Sequence, residues 1–107
     1  MSYKRESPEK IQVLISEKEL NFIDVRSPPE RNTDGYIAGS AEMDIRGADF
    51  DQKLNTLDKN KTTVFYCRAG NRSAAACQKA ENFGFKDIYM IEGGIIAWES
   101  RGLPTRK

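Results

Sequence analysis

A cysteine followed by a short loop of arginine and glycine is the part of the sequence best suited to chemistry. The segment Cys67-Arg68-Ala69-Gly70-Asn71-Arg72-Ser73 follows Thr63–Tyr66, a β-branched and aromatic run that predicts a buried strand. After it, small and apolar residues recur at helical spacing and predict a helix over 73–83. A thiol between a strand end and a helix N-terminus lies where backbone N–H groups converge, and Arg72 adds positive charge. These surroundings favour a thiolate.

The loop residues allow a structural and a chemical interpretation. A free cysteine at a strand end is common in cores, but packing does not explain two arginines and a glycine in the next five residues. We therefore predict that Cys67 is a nucleophile. Arg72 is predicted to bind an anionic substrate through its planar guanidinium, whereas Arg68 is either a contact at the rim or a solvated surface residue. Gly70 is predicted to take a positive φ, so that the loop curls around the sulfur.

Two further residues leave alternatives open. Ser73 either caps the following helix or donates a hydrogen bond to the sulfur, and the cap is favoured. Cys77 lies on the helix face that also carries Ala76 and Ala80, about one and a half turns into the helix. This position favours a small core residue over a second thiol that resolves Cys67.

Composition excludes several classes of protein. The 107 residues predict one domain, 1–107, and the 17 Lys and Arg balance 16 Asp and Glu, so no basic field suggests nucleic acid. No apolar stretch reaches the roughly 18 residues that span a bilayer, and no apolar leader is present in the sequence as given. Two cysteines make no disulfide scaffold, which favours the cytoplasm. The absence of histidine excludes Ser-His-Asp and Cys-His catalysis and imidazole metal sites, and we predict no metal and no cofactor.

The elements that must position the loop alternate between strand and helix. Such alternation predicts an α/β fold around a mostly parallel sheet, with ligands bound at the carboxyl ends of the strands, where Cys67 falls. Pro28 and Pro29 are expected to break the sheet, with a loop over 32–39. The predicted helices are 7–18, 49–57, 73–83 and 94–100, and the predicted strands are 20–25, 41–45, a strand at Val64, and 88–91.

Five motifs in order resemble those of the rhodanese family of single-domain sulfurtransferases. They span Asp24 to Pro104 with near-family spacing, although none is decisive alone. The segments that carry the resemblance are Phe22–Arg26 (D-V-R), Gly35–Ala41 (G-H-I-P-G-A), Cys67–Ser73 (C-R-x-G-x-R-S), Gly84–Tyr89 together with Glu92–Gly94 and Trp98, and Gly102–Pro104.

The resemblance implies a three-layer sandwich with a five-stranded, mostly parallel sheet and helices on both faces. It also implies a sulfurtransferase that moves a sulfane sulfur from thiosulfate or a persulfide to cyanide or a thiol through a persulfide on Cys67. In the family, the loop N–H groups from Arg68 to Ser73 hold that persulfide, so Ala69 and Asn71 would contribute as backbone. Asp24 and Arg26 would form a buried ion pair or network that supports the site. The partners would be a small sulfur donor and a thiol or cyanide acceptor, and a thioredoxin-like or sulfur-carrier protein is a further candidate for the acceptor. The protein would be a monomer.

Three positions depart from the family pattern. Tyr36 and Ala38 stand where the family usually has histidine and proline, and Arg31 stands where an aromatic residue is usual. None of these positions carries chemistry in the family. They leave open the conformation of residues 28–40 and any partner surface there.

Two other functions remain as alternatives. A Cys-dependent phosphatase or arsenate reductase of the same fold resembles C-x5-R, usually with histidine before the cysteine, whereas this loop is C-x4-R preceded by Tyr66. The shorter loop fits a single sulfur atom better than a phosphate. A regulatory or sulfur-relay module with a protein partner is the other alternative, although regulatory modules typically lose the cysteine that this chain keeps.

Overall fold

A five-stranded parallel sheet forms the middle of the molecule. The structure is a computed structural model that describes residues 3–107, so Met1 and Ser2 of the predicted domain lie outside it. Strand order is β1-β5-β4-β2-β3, and every neighbouring pair is parallel. The strands are β1 (Lys4–Glu6), β2 (Asn21–Asp24), β3 (Ala41–Glu42), β4 (Thr63–Tyr66) and β5 (Ile88–Ile91).

Helices cover both faces of this sheet. They are α1 (Pro8–Glu17), α2 (Pro28–Asp34), α3 (Phe50–Asn55), α4 (Asn71–Asn82) and α5 (Gly94–Ser100). One apolar cluster joins α3 and α4 to the sheet through Phe50, Leu54 and Ala76, and the other joins α1 and α5 through Ile11 and Trp98. The predicted α/β sandwich with helices on both faces is therefore confirmed.

The central strand β4 is buried along its whole length because both of its faces are covered. Val64 and Tyr66 belong to the α1/α5 cluster, whereas Phe65 and Cys67 belong to the α3/α4 cluster. Successive side chains therefore point to opposite faces of the sheet, as they do in any β-strand. Since β2 and β5 flank β4 in parallel, the residues after all three strands meet at one edge of the sheet. Cys67 lies at the middle of that edge.

Two elements differ from the sequence prediction. Residues 28–34 form α2 rather than a break and a loop, because Ser27 and Glu30 make a capping box and Pro28 occupies the first helical position. The edge strand β1 was not predicted. It has three residues with no apolar periodicity, and it exists by pairing with β5 far along the chain.

The remaining elements agree with prediction to within a few residues, and β3 shortens to two residues from the predicted 41–45. Ser7 caps α1 through its side chain, which accepts a hydrogen bond from the backbone N–H of Lys10. Gly84 follows α4 with φ +91°, as expected of a glycine that ends a helix. Within residues 3–107, no helix has the length and apolar character needed to cross a membrane.

Candidate active site around Cys67

The loop between β4 and α4 wraps its backbone around the sulfur of Cys67. The backbone N–H of Gly70 donates to Sγ at 3.1 Å and that of Ser73 donates at 3.4 Å. The hydroxyl oxygen of Ser73 lies 3.5 Å from the same sulfur. We call these two N–H groups and the Ser73 hydroxyl the sulfur cradle. Cys67 is almost completely buried, so the cradle, rather than water, surrounds the thiol.

The cradle lowers the pKa of the Cys67 thiol. Burial alone raises this pKa, but the hydrogen bond with the Ser73 side chain and those from the backbone N–H groups of Ser73, Gly70 and Arg72 outweigh burial. The direction agrees with the thiolate predicted from the sequence. Fixed backbone dipoles therefore favour a negatively charged sulfur at this position.

Gly70 has the positive φ that the sequence predicted. Its φ of +126° turns the chain so that its own N–H points back at the sulfur, and α4 begins at the next residue. An L side chain rarely adopts this conformation, which explains the glycine.

The prediction that Ser73 caps α4 is wrong. The helix starts at Asn71 with Gly70 at the N-cap position, and no side chain caps it. Ser73 is therefore the third helical residue. Its hydroxyl donates to the carbonyl oxygen of Gly70 at 3.0 Å and faces the sulfur, so it belongs to the cradle.

The guanidinium of Arg72 contacts a carboxylate that the sequence analysis did not single out. Its Nη1 and Nη2 donate to Oε1 and Oε2 of Glu30 at 2.6 and 2.9 Å. The hydrogen bond from Arg72 is the main cause that lowers the pKa of Glu30 to about 2. The pair ties α2 to the first turn of α4. The sequence carried a signal for Glu30, since Ser27 and Glu30 have the S-x-x-E spacing of a capping box.

The other predicted loop residues lie on the surface. The side chains of Arg68, Ala69 and Asn71 are exposed, so any contact they make with a small substrate at the buried sulfur is through the backbone or at the rim. A cavity of about 380 Å³ borders Arg68 and Ile95 on the α5 side of the loop. A second cavity, of about 440 Å³, lies against Ile37 and Trp98, away from the loop.

Asp24 and Arg26 form the buried ion pair that the sequence predicted. Nε and Nη2 of Arg26 donate to the two carboxylate oxygens at 3.0 and 2.8 Å, and both side chains are 1 % exposed or less. Burial lowers the pKa of Arg26, but the hydrogen bond and charge of Asp24 more than offset it. Nη2 also donates to the carbonyl oxygen of Gly35 at 2.7 Å, which fixes the end of α2.

Arg31, which replaces the aromatic residue usual in the family, joins the same network. Its Nη1 donates to Asp24 at 3.1 Å and to the hydroxyl of Ser40 at 3.0 Å, and its guanidinium lies 4.2 Å from the ring centroid of Tyr36. The hydroxyl of Tyr66 also reaches Asp24, at 3.3 Å. The two departures from the family pattern at Arg31 and Tyr36 therefore stack on each other, and Arg31 carries the contact with Asp24.

The N-terminus of α5 supports the loop from the other side. The N–H groups of Ile95 and Ile96 donate to the carbonyl oxygens of Cys67 and Arg68 at 2.9 and 3.2 Å. Gly94 has φ +65°, and a Cβ there would collide with both of those carbonyl oxygens. Trp98 is buried and donates from Nε1 to the carbonyl oxygen of Pro104, which agrees with a packing role.

Cys77 faces the core from the middle of α4 and does not enter the cradle. It is fully buried, and burial raises the pKa of its thiol far above the usual value. This environment keeps the thiol protonated and inert, in keeping with a core residue. Over residues 3–107, no three acidic or cysteine side chains are grouped closely enough to hold a metal ion.

Comparison with known proteins identifies the family. The model of the Rhodanese-like domain matches residues 7–101, so the chain belongs to the rhodanese-like family. A rhodanese-related protein of Thermoplasma volcanium, solved by crystallography, has the same fold, with a TM-score of 0.83 and 31 % identity over 96 % of this chain and 97 % of that one.

Two curated relatives carry different functional names. "Putative sulfurtransferase YtwF" of Bacillus subtilis is 41 % identical over 89 residues, which are 83 % of this chain and 82 % of that protein. "Dual specificity phosphatase Cdc25" of Arabidopsis thaliana is 36 % identical over 99 residues, covering 80 % of this chain and 66 % of that protein. Names within the family thus support the sulfurtransferase class and also include a phosphatase.

Proposed function

We propose that the protein is a sulfurtransferase that carries a sulfane sulfur as a persulfide on Cys67. The observation that carries this proposal is the sulfur cradle, in which two backbone N–H groups donate to one buried sulfur atom. Charge-assisted hydrogen bonds of this kind contribute roughly 1.5–3 kcal/mol each, so a few of them stabilise an anionic sulfur without a general base. The family relationship and the sulfurtransferase relative support the same class.

The reaction proceeds in two nucleophilic steps. The Cys67 thiolate attacks the outer sulfur of thiosulfate, a sulfur–sulfur bond forms, and sulfite leaves with the electron pair of the broken bond. The product is a persulfide anion on Cys67, whose outer sulfur is attacked in turn by cyanide or a thiolate. That attack gives thiocyanate or a persulfide and restores the Cys67 thiolate. Throughout, Gly70 and Ser73 hold the negative sulfur.

Donor and acceptor follow from the same chemistry. Thiosulfate and small or protein persulfides are the proposed donors, and a thiol, cyanide, a thioredoxin-like protein or a sulfur-carrier protein is the proposed acceptor. Arg68 and Arg72 are proposed to contact an anionic donor at the rim, Arg72 only through the N–H groups that its pair with Glu30 leaves over. We also propose that residues 1–107 act as one monomeric domain in the cytoplasm, and that Asp24 and Arg26 support the loop through the end of α2.

The phosphatase-named relative makes phosphoryl transfer the second candidate. A phosphate needs a loop that surrounds a tetrahedral oxyanion and an arginine that is free to bind it. Here the loop has the shorter C-x4-R spacing, and the guanidinium of Arg72 is engaged by Glu30. Both features favour sulfur transfer.

Steady-state assays of two cysteine variants and of the unmodified protein test the proposal. We expect Cys67→Ser to abolish thiosulfate:cyanide sulfur transfer, while Cys77→Ser, which changes a buried thiol outside the cradle, retains most of it. Hydrolysis of p-nitrophenyl phosphate by the unmodified protein should be negligible beside sulfur transfer. Equal losses in the two cysteine variants would refute a single-thiol mechanism, and rapid phosphate release with no sulfur transfer would favour the phosphatase.

A further inference from the structure

The Glu30–Arg72 pair places opposite charges next to the sulfur cradle, because Arg72 directly precedes Ser73 in α4. Arg72 is the second residue of α4, beside Ser73, and its charge acts on the Cys67 sulfur. Its guanidinium is held by both carboxylate oxygens of Glu30, and the two side chains are only about one-fifth and one-quarter exposed, at 21 % and 26 %. Glu30 also accepts from the N–H and hydroxyl of Ser27, so its carboxylate is fixed in place.

This pairing changes what the site offers to a charged donor. An unpaired arginine would attract a dianion, whereas a bidentate pair has no net charge and has already used its parallel N–H fork. The remaining attraction comes from the backbone N–H groups of the cradle and from the exposed Arg68. Such a site discriminates little in favour of the more negative donor.

We propose that Glu30 is a specificity-determining residue that lowers the preference of the site for dianionic sulfur donors by neutralising Arg72. The inference rests on the proposed sulfurtransferase function and names its substrate class as donors of low negative charge, such as monoanionic thiosulfonates and persulfides. Glu30 acts through Arg72 and does not itself touch the donor.

Two donors of matched shape separate charge from size. Thiosulfate is a dianion, and methanethiosulfonate replaces one of its oxygens with a methyl group and is a monoanion. With thiosulfate, Cys67 forms a bond to the outer sulfur and sulfite leaves with the bonding pair. With methanethiosulfonate the same bond forms, and methanesulfinate leaves with the pair. Both reactions yield the same persulfide on Cys67, so their rates are directly comparable.

The test is the ratio of second-order rate constants for persulfide formation, thiosulfate over methanethiosulfonate. Glu30→Gln keeps an oxygen acceptor for Ser27 but removes the charge that faces Arg72. We expect the ratio to rise roughly three- to tenfold, the effect of one unit charge near a partly exposed site, and to fall towards the wild-type value at high salt. Asp51→Asn is the matched control. It removes one negative charge from the exposed pair between Asp51 and Lys79, a lysine that lies on α4 like Arg72, and the donor ratio of this variant should equal that of the wild type.

The double variant Glu30→Gln with Arg72→Gln keeps the test decisive if the single Glu30 variant does not fold. Arg72→Gln alone leaves the charge of Glu30 without its partner and should lower the ratio, whereas the double variant, in which both side chains are neutral, should return the ratio to the wild-type value. A wild-type ratio in Glu30→Gln, a double variant that stays at the Arg72→Gln ratio, or an equal loss of rate with both donors would mean that Glu30 only positions the loop and would overturn the inference. If the wild-type protein forms no persulfide with either donor, the proposed function itself is wrong.

Discussion

At the scale of single residues, the acidity of Cys67 depends on how many donors the backbone aims at one buried sulfur. Burial opposes the thiolate, and the hydrogen bonds of Ser73 and Gly70 outweigh burial, which lowers the thiol pKa. The rate of alkylation by iodoacetamide should therefore rise with pH around a midpoint below the roughly 8.5 of a free cysteine. Stopped alkylation time courses across pH, followed by peptide mass spectrometry, measure this midpoint for Cys67.

Cys77 is the internal control for that titration. Its buried thiol has a raised pKa, so it should stay unmodified over the same pH range in the folded protein. Cys77→Ser should leave the Cys67 midpoint unchanged. A Cys67 midpoint at or above the free-cysteine value would mean that the loop N–H groups do not stabilise the thiolate.

At the scale of secondary-structure elements, α5 begins so close to the loop that its first residue, Gly94, has no room for a side chain. A Cβ at Gly94 would lie 2.6 Å from the carbonyl oxygen of Cys67 and would also collide with that of Arg68. We expect Gly94→Ala to cost about 3 kcal/mol or more of unfolding free energy, because backbone strain at positive φ adds roughly 1–2 kcal/mol to the collision. Sulfur transfer should fall with it, since α5 holds both carbonyl groups.

Gly102→Ala is the matched control for this prediction. Gly102 has a similar φ, +75°, but a Cβ there meets nothing within 4 Å. Gly102→Ala should lose only the unfolding free energy that backbone strain costs, roughly 1–2 kcal/mol, and should keep its sulfur-transfer activity. Equal losses of stability in the two variants, measured by urea unfolding, would show that close packing of α5 on the loop contributes nothing.

The elements next to the site show what the sequence could and could not predict. The strand–loop–helix around Cys67 was predictable because its apolar periods are strong and local. Pro28 and Pro29 predict a break in the sheet and so conceal the helix α2, although proline suits the first turn of a helix and Ser27 with Glu30 marks its start. The start of α4 could not be placed from composition, since Gly70 takes the N-cap position without a side-chain cap and so moves Ser73 into the cradle.

At the scale of the whole molecule, one buried carboxylate joins β2, β4 and the segment that connects β2 to β3. Asp24 accepts from Arg26, Arg31 and the hydroxyl of Tyr66. Two guanidiniums on one aspartate could not be predicted, because the sequence places Arg31 where the family has an aromatic residue. Its stacking partner Tyr36 lies only five residues further along the chain, just after the end of α2.

Loss of this carboxylate should therefore destabilise the whole fold. Asp24→Asn leaves the buried Arg26 without its counter-charge, and we expect a loss of about 3–5 kcal/mol in unfolding free energy. Asp51→Asn removes a carboxylate from an exposed pair and should cost less than about 1 kcal/mol. Urea unfolding of both variants gives the comparison, and a similar small loss in each would contradict a structural role for the buried network.

A persulfide on Cys67 can be detected by intact-protein mass spectrometry after exposure to thiosulfate. We expect a product heavier by one sulfur atom, with the added sulfur located on the Cys67 peptide. The adduct should disappear when cyanide is added, and it should be absent from Cys67→Ser but present in Cys77→Ser. An unmodified mass after exposure to thiosulfate, or added sulfur located on Cys77, would show that Cys67 does not carry the transferred sulfur.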